Sequence, residues 1–328
     1  MARLGHRGCV HPLLLGPVNE TVRSWRPSWR PDPHVILGPL RRGSKDPTYR
    51  VDGRAIWRTI QTPYGPATQR IERRDAEAVI DSSAWGPGAQ WATDRLPRTL
   101  GADDDPRNFD AEGLRTAYHR EVGEAWRRYG EQWRVPAVGT VFEVLAMAIL
   151  EQKVTGIEAR RAWSRLLAQY GDVAPGPAPQ GMYVSPSPEV WRAIPSWEWH
   201  RAGVDAHRSR TIVEAARVAR RLEECDELAH EAARTRLLAV PGVGGWTAAE
   251  VAQRSLGDPD AVSFGDFHLA GQVVFALTGE PNGDDARMAE VLAPWAGQRL
   301  RAIRMVELSG VAKPRHAPRM AVRDFRSM

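Results

Sequence analysis

Cysteine is almost absent: Cys9 and Cys225 are the two thiols in 328 residues. Two thiols so far apart fit a reducing compartment, and they are too few to ligate an iron–sulfur cluster or a structural zinc ion through cysteine alone. Long apolar runs are missing as well. Residues 12–15 form a stretch too short for a signal peptide, and no other run approaches membrane-spanning length. The sequence therefore predicts a cytoplasmic protein that makes no contact with a membrane.

Composition excludes a disordered or fibrous chain, because 42% of the residues are apolar and 26% are charged. The net charge of +5 is unevenly distributed. Residues 1–60 hold eleven Lys and Arg residues against four acids, and residues 311–328 hold five against one. Basic segments of this kind permit phosphate binding, although most charge runs are only solvated surface.

The N-terminal part has the pattern of short strands. These are residues 35–37, 48–51, 55–60 and 67–71, with a hairpin turn at Asp52-Gly53. Asp75 is expected to cap a helix containing Val79 and Ile80, and residues 82–107 are rich in Gly, Pro and Asp. We expect an α+β domain with an antiparallel sheet over residues 1–106, preceded by a basic segment.

From about residue 110 onward, apolar residues recur with helical spacing. Ser187-Pro188-Glu189 is a strong helix start, and residues 205–222 and 228–239 are expected to be helical. We therefore predict a mainly α protein in which residues 107–312 form an all-α domain and residues 313–328 form a basic tail.

The segment from residue 237 to residue 269 carries most of the functional information. Pro241 should end one helix, and Gly242 and Gly244 permit positive φ and a close approach of another backbone. The N–H groups of Gly244, Gly245 and Trp246 would then lie free at the start of a second helix, where the helix dipole favours an anion such as a DNA phosphate. The segment lacks the Gly-Lys-Ser/Thr of a nucleotide-binding loop and the strand of a dinucleotide fingerprint. A purely structural helix-turn-helix stays open as an alternative.

Asp266 follows Trp246 by twenty positions. With it, the segment resembles the helix-hairpin-helix superfamily of DNA glycosylases, in particular the alkylation-repair branch of the 3-methyladenine DNA glycosylase II type. Residues 136–154 resemble the first core helix of that family, residues 186–217 its intervening helices, and residues 30–80 its additional sheet domain. The resemblance implies a helix-hairpin-helix glycosylase fold of two helical subdomains with an N-terminal antiparallel β-sheet.

The same resemblance implies that Asp266 is catalytic and that Trp246 lines the base pocket. Cleavage of an N-glycosidic bond passes through an oxocarbenium-like sugar, whose charge a carboxylate stabilises while it orients the attacking water. Bifunctional relatives place a Schiff-base lysine where this chain has Trp246, so the resemblance implies a monofunctional hydrolase that leaves an abasic site. Trp246 could instead be a core residue, one of 13 tryptophans, and Asp266 could also cap the helix that follows it.

Further residues take roles from the family pattern. Lys153 lies where a side chain enters the duplex in place of the extruded base, although lysine is also a good phosphate ligand. Phe267 and Glu250 fall on pocket positions; Glu250 replaces an aromatic and could be a second acid, a selector of base edges or a solvated helix residue. Arg304 or Met305 stands where the family has another tryptophan. The residues expected to bind DNA are Gly242, Val243, Gly244, Gly245, Thr247, Gln152 and Lys153.

No cofactor is expected, and the histidines show no zinc-site spacing. The resemblance implies instead a structural Na⁺ or K⁺ ion bound by hairpin carbonyls, namely those of Leu238, Val240 and Val243. The implied partner is double-stranded DNA containing damaged bases, bound by a monomer. Two other functions stay open. One is a DNA-binding or damage-sensing protein without catalysis, and the other is a glycosylase for oxidised or mismatched bases.

Overall fold

A computed structural model describes residues 20–74 and 78–313 of the chain. Within these ranges the N-terminal part forms a five-stranded antiparallel sheet with the strand order β1-β5-β4-β3-β2. Its strands are β1 (Thr21–Trp25), β2 (Tyr49–Asp52), β3 (Ala55–Thr62), β4 (Gly65–Arg74) and β5 (Val79–Trp85). The predicted N-terminal antiparallel sheet is confirmed.

The turn predicted at Asp52-Gly53 joins β2 to β3. Asp52 pairs with Ala55 at the end of the ladder, and Gly53 between them has a φ of +57°. This two-residue connection is the kind that matches the twist of paired strands, and glycine takes its positive φ without steric cost.

Two expectations for this region were wrong. Residues 35–37 belong to a helix, α1 (Pro33–Leu37), because the Asp32 carboxylate accepts a hydrogen bond from the His34 N–H at 2.9 Å and caps the first turn. Val79 and Ile80 begin β5 and are not helical, because they pair with β4; Asp75 lies outside the described residues. The Gly-, Pro- and Asp-rich residues 82–107 complete β5 and form two short helices.

From residue 86 to residue 313 the chain is mainly helical, apart from a two-stranded hairpin of β6 (Asp172–Val173) and β7 (Tyr183–Val184). The Ser187 hydroxyl accepts from the Val190 N–H at 3.4 Å, so the helix start predicted there is confirmed. The helices after α1 are α2 (Ala89–Asp94), α3 (Leu96–Thr99), α4 (Glu112–Arg115), α5 (Arg120–Tyr129), α6 (Val141–Leu150), α7 (Gly156–Tyr170), α8 (Pro188–Ala193), α9 (Ser196–Arg201), α10 (Ala206–Arg217), α11 (Ala219–Glu223), α12 (His230–Leu238), α13 (Gly245–Val251), α14 (Leu269–Thr278), α15 (Asp285–Leu292) and α16 (Arg299–Ser309).

Two large hydrophobic cores organise these elements. One is built by α6 to α13, and α6 is buried on almost every side at its centre. The other joins the sheet with α1, α3, α4, α5 and α14–α16. The second core contains residues from both sides of residue 106. The domain boundary between residues 106 and 107 therefore stays a prediction. The two helical cores agree with the predicted fold class.

The start of α6 is held by a carboxylate from another helix. The two carboxyl oxygens of Glu223 each accept a backbone hydrogen bond at 2.9 Å, one from Val141 and one from Phe142. Burial raises the pKa of Glu223 to about 7, against the effect of these two hydrogen bonds, which favour the ionised form. This anchor fixes the helix whose opposite end reaches the candidate site. No helix among the described residues is long and apolar enough to cross a membrane.

Candidate functional site

The glycine hairpin connects α12 to α13 as the sequence predicts. The chain reverses direction at Gly242, which has a φ of +89°, and a Cβ built there would lie 2.2 Å from the Thr211 hydroxyl oxygen on α10. Gly242 therefore needs both the positive φ and the missing side chain. Gly244 differs from the expectation, since its φ is −103° and the space around it is open.

Helix α13 begins without a side-chain cap. Among the described residues, none accepts a hydrogen bond from the backbone N–H groups of Gly244, Gly245 or Trp246. Both glycines are exposed, so these donors face solvent at the positive end of the helix dipole. The hairpin can therefore offer main-chain donors to an anion.

Gln152 braces this hairpin from the end of α6. Its side-chain amide donates to the Gly242 carbonyl at 3.1 Å and to the Thr247 hydroxyl at 2.9 Å. Thr247 is buried, with 2% of its surface exposed. The side chains of both residues are thus engaged inside the protein, where they set the shape of the hairpin.

Lys153 follows Gln152 in the chain and is exposed, with a φ of +53°. A non-glycine residue in this region of backbone space is uncommon and carries strain. The strained turn places an exposed cationic side chain next to the residue that braces the hairpin, at the position that the sequence predicts for a DNA contact.

Asp266 lies where the chain passes from the first core to the second. One carboxyl oxygen, Oδ1, accepts from the N–H groups of His268 at 2.8 Å and Leu269 at 3.0 Å, and so caps α14. The other oxygen, Oδ2, accepts from the indole Nε1–H of Trp246 at 3.2 Å. The capping role of Asp266 is confirmed, and the carboxylate remains only partly buried.

Trp246 is partly buried, so it is not one of the core tryptophans. Its indole edge points to Asp266, which joins the hairpin directly to the carboxylate. The predicted catalytic acid and the predicted pocket wall are therefore neighbours in space.

The other predicted pocket residues have different surroundings. Phe267 is 89% exposed and touches the ring of His268, so no residue of the described ranges encloses it. Glu250 is not a solvated helix residue: its side chain is 12% exposed and forms an ion pair of 2.8 Å with Arg254. Glu250 also accepts a hydrogen bond of 2.6 Å from the hydroxyl of Ser263.

The C-terminal pocket position of the family pattern is filled differently in this chain. Met305 is fully buried in the second core. Arg304 pairs with Glu307 at 2.8 Å and donates to the Val35 carbonyl at 3.2 Å. Neither side chain offers a free surface for a base.

The hairpin carbonyls partly fit a monovalent cation. The Val240 carbonyl accepts from the Val243 N–H at 3.0 Å, whereas the Leu238 and Val243 carbonyls accept from no N–H group of the described residues. Two carbonyl oxygens with free lone pairs on one turn are suitable hard ligands for such an ion.

Two site residues were missed at the sequence level. Ser263 bonds to Glu250, and Asp285 accepts from the Gly265 N–H at 2.7 Å, which holds the turn before Asp266. Glu250 follows Trp246 by four positions, so a shared helix face was a usable signal. Nothing in the local sequence pointed to Ser263 or Asp285 as the partners.

Comparison with known proteins finds a curated relative and solved structures. The probable bifunctional transcriptional activator/DNA repair enzyme AlkA of Mycobacterium tuberculosis is 34% identical over 186 residues, which are 54% of this chain and 35% of that protein. The chain thus spans about a third of the length of the curated relatives it matches. No family model matches the chain.

Two solved structures cover nearly all of the fold. The 3-methyladenine DNA glycosylase of Archaeoglobus fulgidus has a TM-score of 0.71 at 17% identity, covering 88% of this chain and 98% of that one. The 8-oxoguanine glycosylase/lyase of Clostridium acetobutylicum, bound to double-stranded DNA, has a TM-score of 0.65 at 11% identity, covering 89% and 96%. Identities this low establish a shared fold, not a shared substrate.

Proposed function

We propose that the chain belongs to the helix-hairpin-helix superfamily of DNA glycosylases and is a monofunctional glycosylase for alkylated bases in duplex DNA. The observation that carries this proposal is the contact of 3.2 Å between the Trp246 indole and the Asp266 carboxylate, next to a hairpin with free N–H donors. A carboxylate, an aromatic ring edge and main-chain N–H donors for a phosphate therefore lie close together.

Binding would begin at the hairpin. The free N–H groups of Gly244, Gly245 and Trp246 suit a DNA phosphate, and a monovalent cation on the Leu238 and Val243 carbonyls would add positive charge at that point. The damaged nucleotide leaves the stack, because the enzyme has no access to its glycosidic bond inside the duplex. Such an enzyme needs no second copy, so we propose a monomer.

Chemistry would depend on the carboxylate of Asp266. As the glycosidic bond breaks, the bonding electron pair leaves with the base, and positive charge develops on the sugar near the carboxylate. Water adds at the same carbon and loses a proton, which gives free base and an abasic site. An alkylated purine is cationic and becomes neutral on leaving, so a paired general acid is unnecessary.

Trp246 supports two features of the proposal. An indole has no amine with which to form a Schiff base, so the sugar–phosphate backbone would stay intact. Its ring can also stack on an electron-poor base, an attraction related to cation–π contact. The substrate class proposed is therefore the 3-methyladenine-like bases.

The test is base release from alkylated duplex DNA by the wild type and by Asp266→Asn, with strand breaks measured with and without alkali. Breaks that need alkali, together with loss of release but not of DNA binding in the variant, would support the proposal. Breaks without alkali would indicate a lyase. DNA binding without any release by the wild type would point to a damage-sensing module, and release confined to oxidised or mismatched substrates to the other glycosylase class.

A further inference from the structure

Helix α13 holds the turn before Asp266 at two points. Trp246 and Glu250 are four residues apart on this helix and so lie on the same face. Trp246 donates to Asp266 at 3.2 Å, and Glu250 accepts from Ser263 at 2.6 Å. Ser263 and Asp266 are the two ends of one turn, so both ends are attached to the same helix.

The hydroxyl of Ser263 both donates and accepts a hydrogen bond within the protein. Its hydroxyl is buried, with 2% of the residue exposed, and it also accepts from the side-chain amide of Gln253 at 2.7 Å. The partner carboxylate is itself fixed, because Glu250 forms the 2.8 Å ion pair with Arg254 and is 12% exposed. A charge-assisted hydrogen bond of this kind, shielded from water, is among the stronger side-chain contacts.

Displacement of Ser263 would be passed on to Asp266. The backbone N–H of Asp266 donates to the Ser263 carbonyl at 3.2 Å, and Gly265 within the turn has a φ of +86°. A turn closed by its own hydrogen bond moves as a unit. The position of the Asp266 carboxylate therefore depends on where Ser263 is held, in addition to the contact of 2.7 Å between the Gly265 N–H and Asp285.

We propose that Glu250 is a positioning residue, which acts through Ser263 to hold the Asp266 carboxylate against the Trp246 indole. Glu250 does not contact the base in this account, since both of its carboxyl oxygens are used by Ser263 and Arg254. The expected effect on rate rests on the proposed function, whereas the effect on geometry does not.

The geometric part can be tested without any substrate. The indole ¹H–¹⁵N signal of Trp246, assigned with Trp246→Phe, should shift in Glu250→Ala and in Ser263→Ala as the bond to Asp266 weakens. The matched control is Glu214→Ala, which removes another helical glutamate from an ion pair with arginine, at 2.6 Å on an exposed surface. That control should leave the signal in place.

The kinetic part uses single-turnover base release and DNA affinity. Glu250→Ala and Ser263→Ala should each lower the rate about tenfold, as expected for one hydrogen bond to a charged group, with affinity nearly unchanged. The double variant should be no slower than the slower single variant, since both act through one contact. Glu250→Gln keeps an acceptor for Ser263, so its rate of base release should lie closer to that of the wild type than the rate of Glu250→Ala does. A rate recovered in this way would show that misfolding does not explain the slower alanine variant.

Two results would overturn the inference. An unchanged Trp246 signal in both alanine variants would contradict it, whether or not the protein releases bases. A slower rate in Glu250→Ala with a normal rate in Ser263→Ala would assign Glu250 a direct role on the base. A shifted signal in a protein that releases no base would support the positioning contact while the proposed function fails.

Discussion

Alanine substitutions at two glycines of the hairpin should have very different effects, although the positions are only two residues apart. Gly242 has a φ of +89°, a region that costs a residue with a Cβ roughly 1–2 kcal/mol. The new Cβ would also lie 2.2 Å from the Thr211 hydroxyl oxygen and 3.0 Å from its methyl carbon. Thr211 is 3% exposed and donates to the His207 carbonyl at 3.0 Å, so it has little room to move.

Overpacking of this kind costs about 1–3 kcal/mol. Together with the backbone cost, Gly242→Ala should lower the free energy of unfolding by about 2–5 kcal/mol. Gly244 has a φ of −103° and open space around it, so Gly244→Ala should cost less than about 1 kcal/mol. Because both variants add one methyl group to the same turn, the second is a matched control for the first.

Urea unfolding followed by circular dichroism would measure the stabilities, and fluorescence anisotropy would measure DNA binding. Adding Thr211→Ala to Gly242→Ala should recover part of the lost stability, because it removes the two shortest contacts. If Gly242→Ala is as stable as Gly244→Ala, the argument from backbone strain and close approach at the hairpin is wrong.

Three further predictions concern single side chains. Burial raises the pKa of Glu143 from 4.5 to about 7, so the folded state binds the extra proton and the free energy of unfolding should fall, by at most about 3 kcal/mol from this group, as pH rises from 4.5 through 7. Glu223, whose pKa burial also raises to about 7, adds to this fall, so Glu143→Gln should make the slope in urea unfolding shallower without removing it, and an unaltered slope would contradict the prediction. Asp266→Ala should unfold about 1 kcal/mol more easily than Asp266→Asn, because asparagine can still cap α14, and equal thermal midpoints would refute the cap. Gln152→Ala removes two hydrogen bonds to the hairpin and should cost about 1–3 kcal/mol and weaken DNA binding in anisotropy, whereas Gln169→Ala, at an exposed glutamine, should do neither.

The hairpin and the cap at Asp266 could be predicted from sequence because their signals are local. Pro241-Gly242 ends a helix and reverses the chain within a few residues, and an aspartate at the start of a helix frequently accepts from the N–H groups two and three residues after it. The β2–β3 turn at Asp52-Gly53 was predicted for the same reason.

Errors arose where residues outside the interpreted run decide the element. Val79 and Ile80 are β-branched and favour a strand, but a run this short does not decide the element, and pairing with β4 makes them a strand. Residues 35–37 were too few to distinguish strand from helix by periodicity, and the cap by Asp32 decided it. Glu250 and Ser263 meet only because α13 packs beside the turn at residues 263–266.

The most direct test of the account measures free methylated purine by mass spectrometry, together with a count of abasic sites, after incubation of alkylated duplex DNA with the wild type and with Asp266→Asn. We predict that the wild type releases free base and forms abasic sites in equal amounts. The variant should still bind the DNA, but it should release no base and form no abasic site. Equal release by the two proteins, or release of no base by the wild type, would contradict the claim that the Asp266 carboxylate beside Trp246 is the catalytic group.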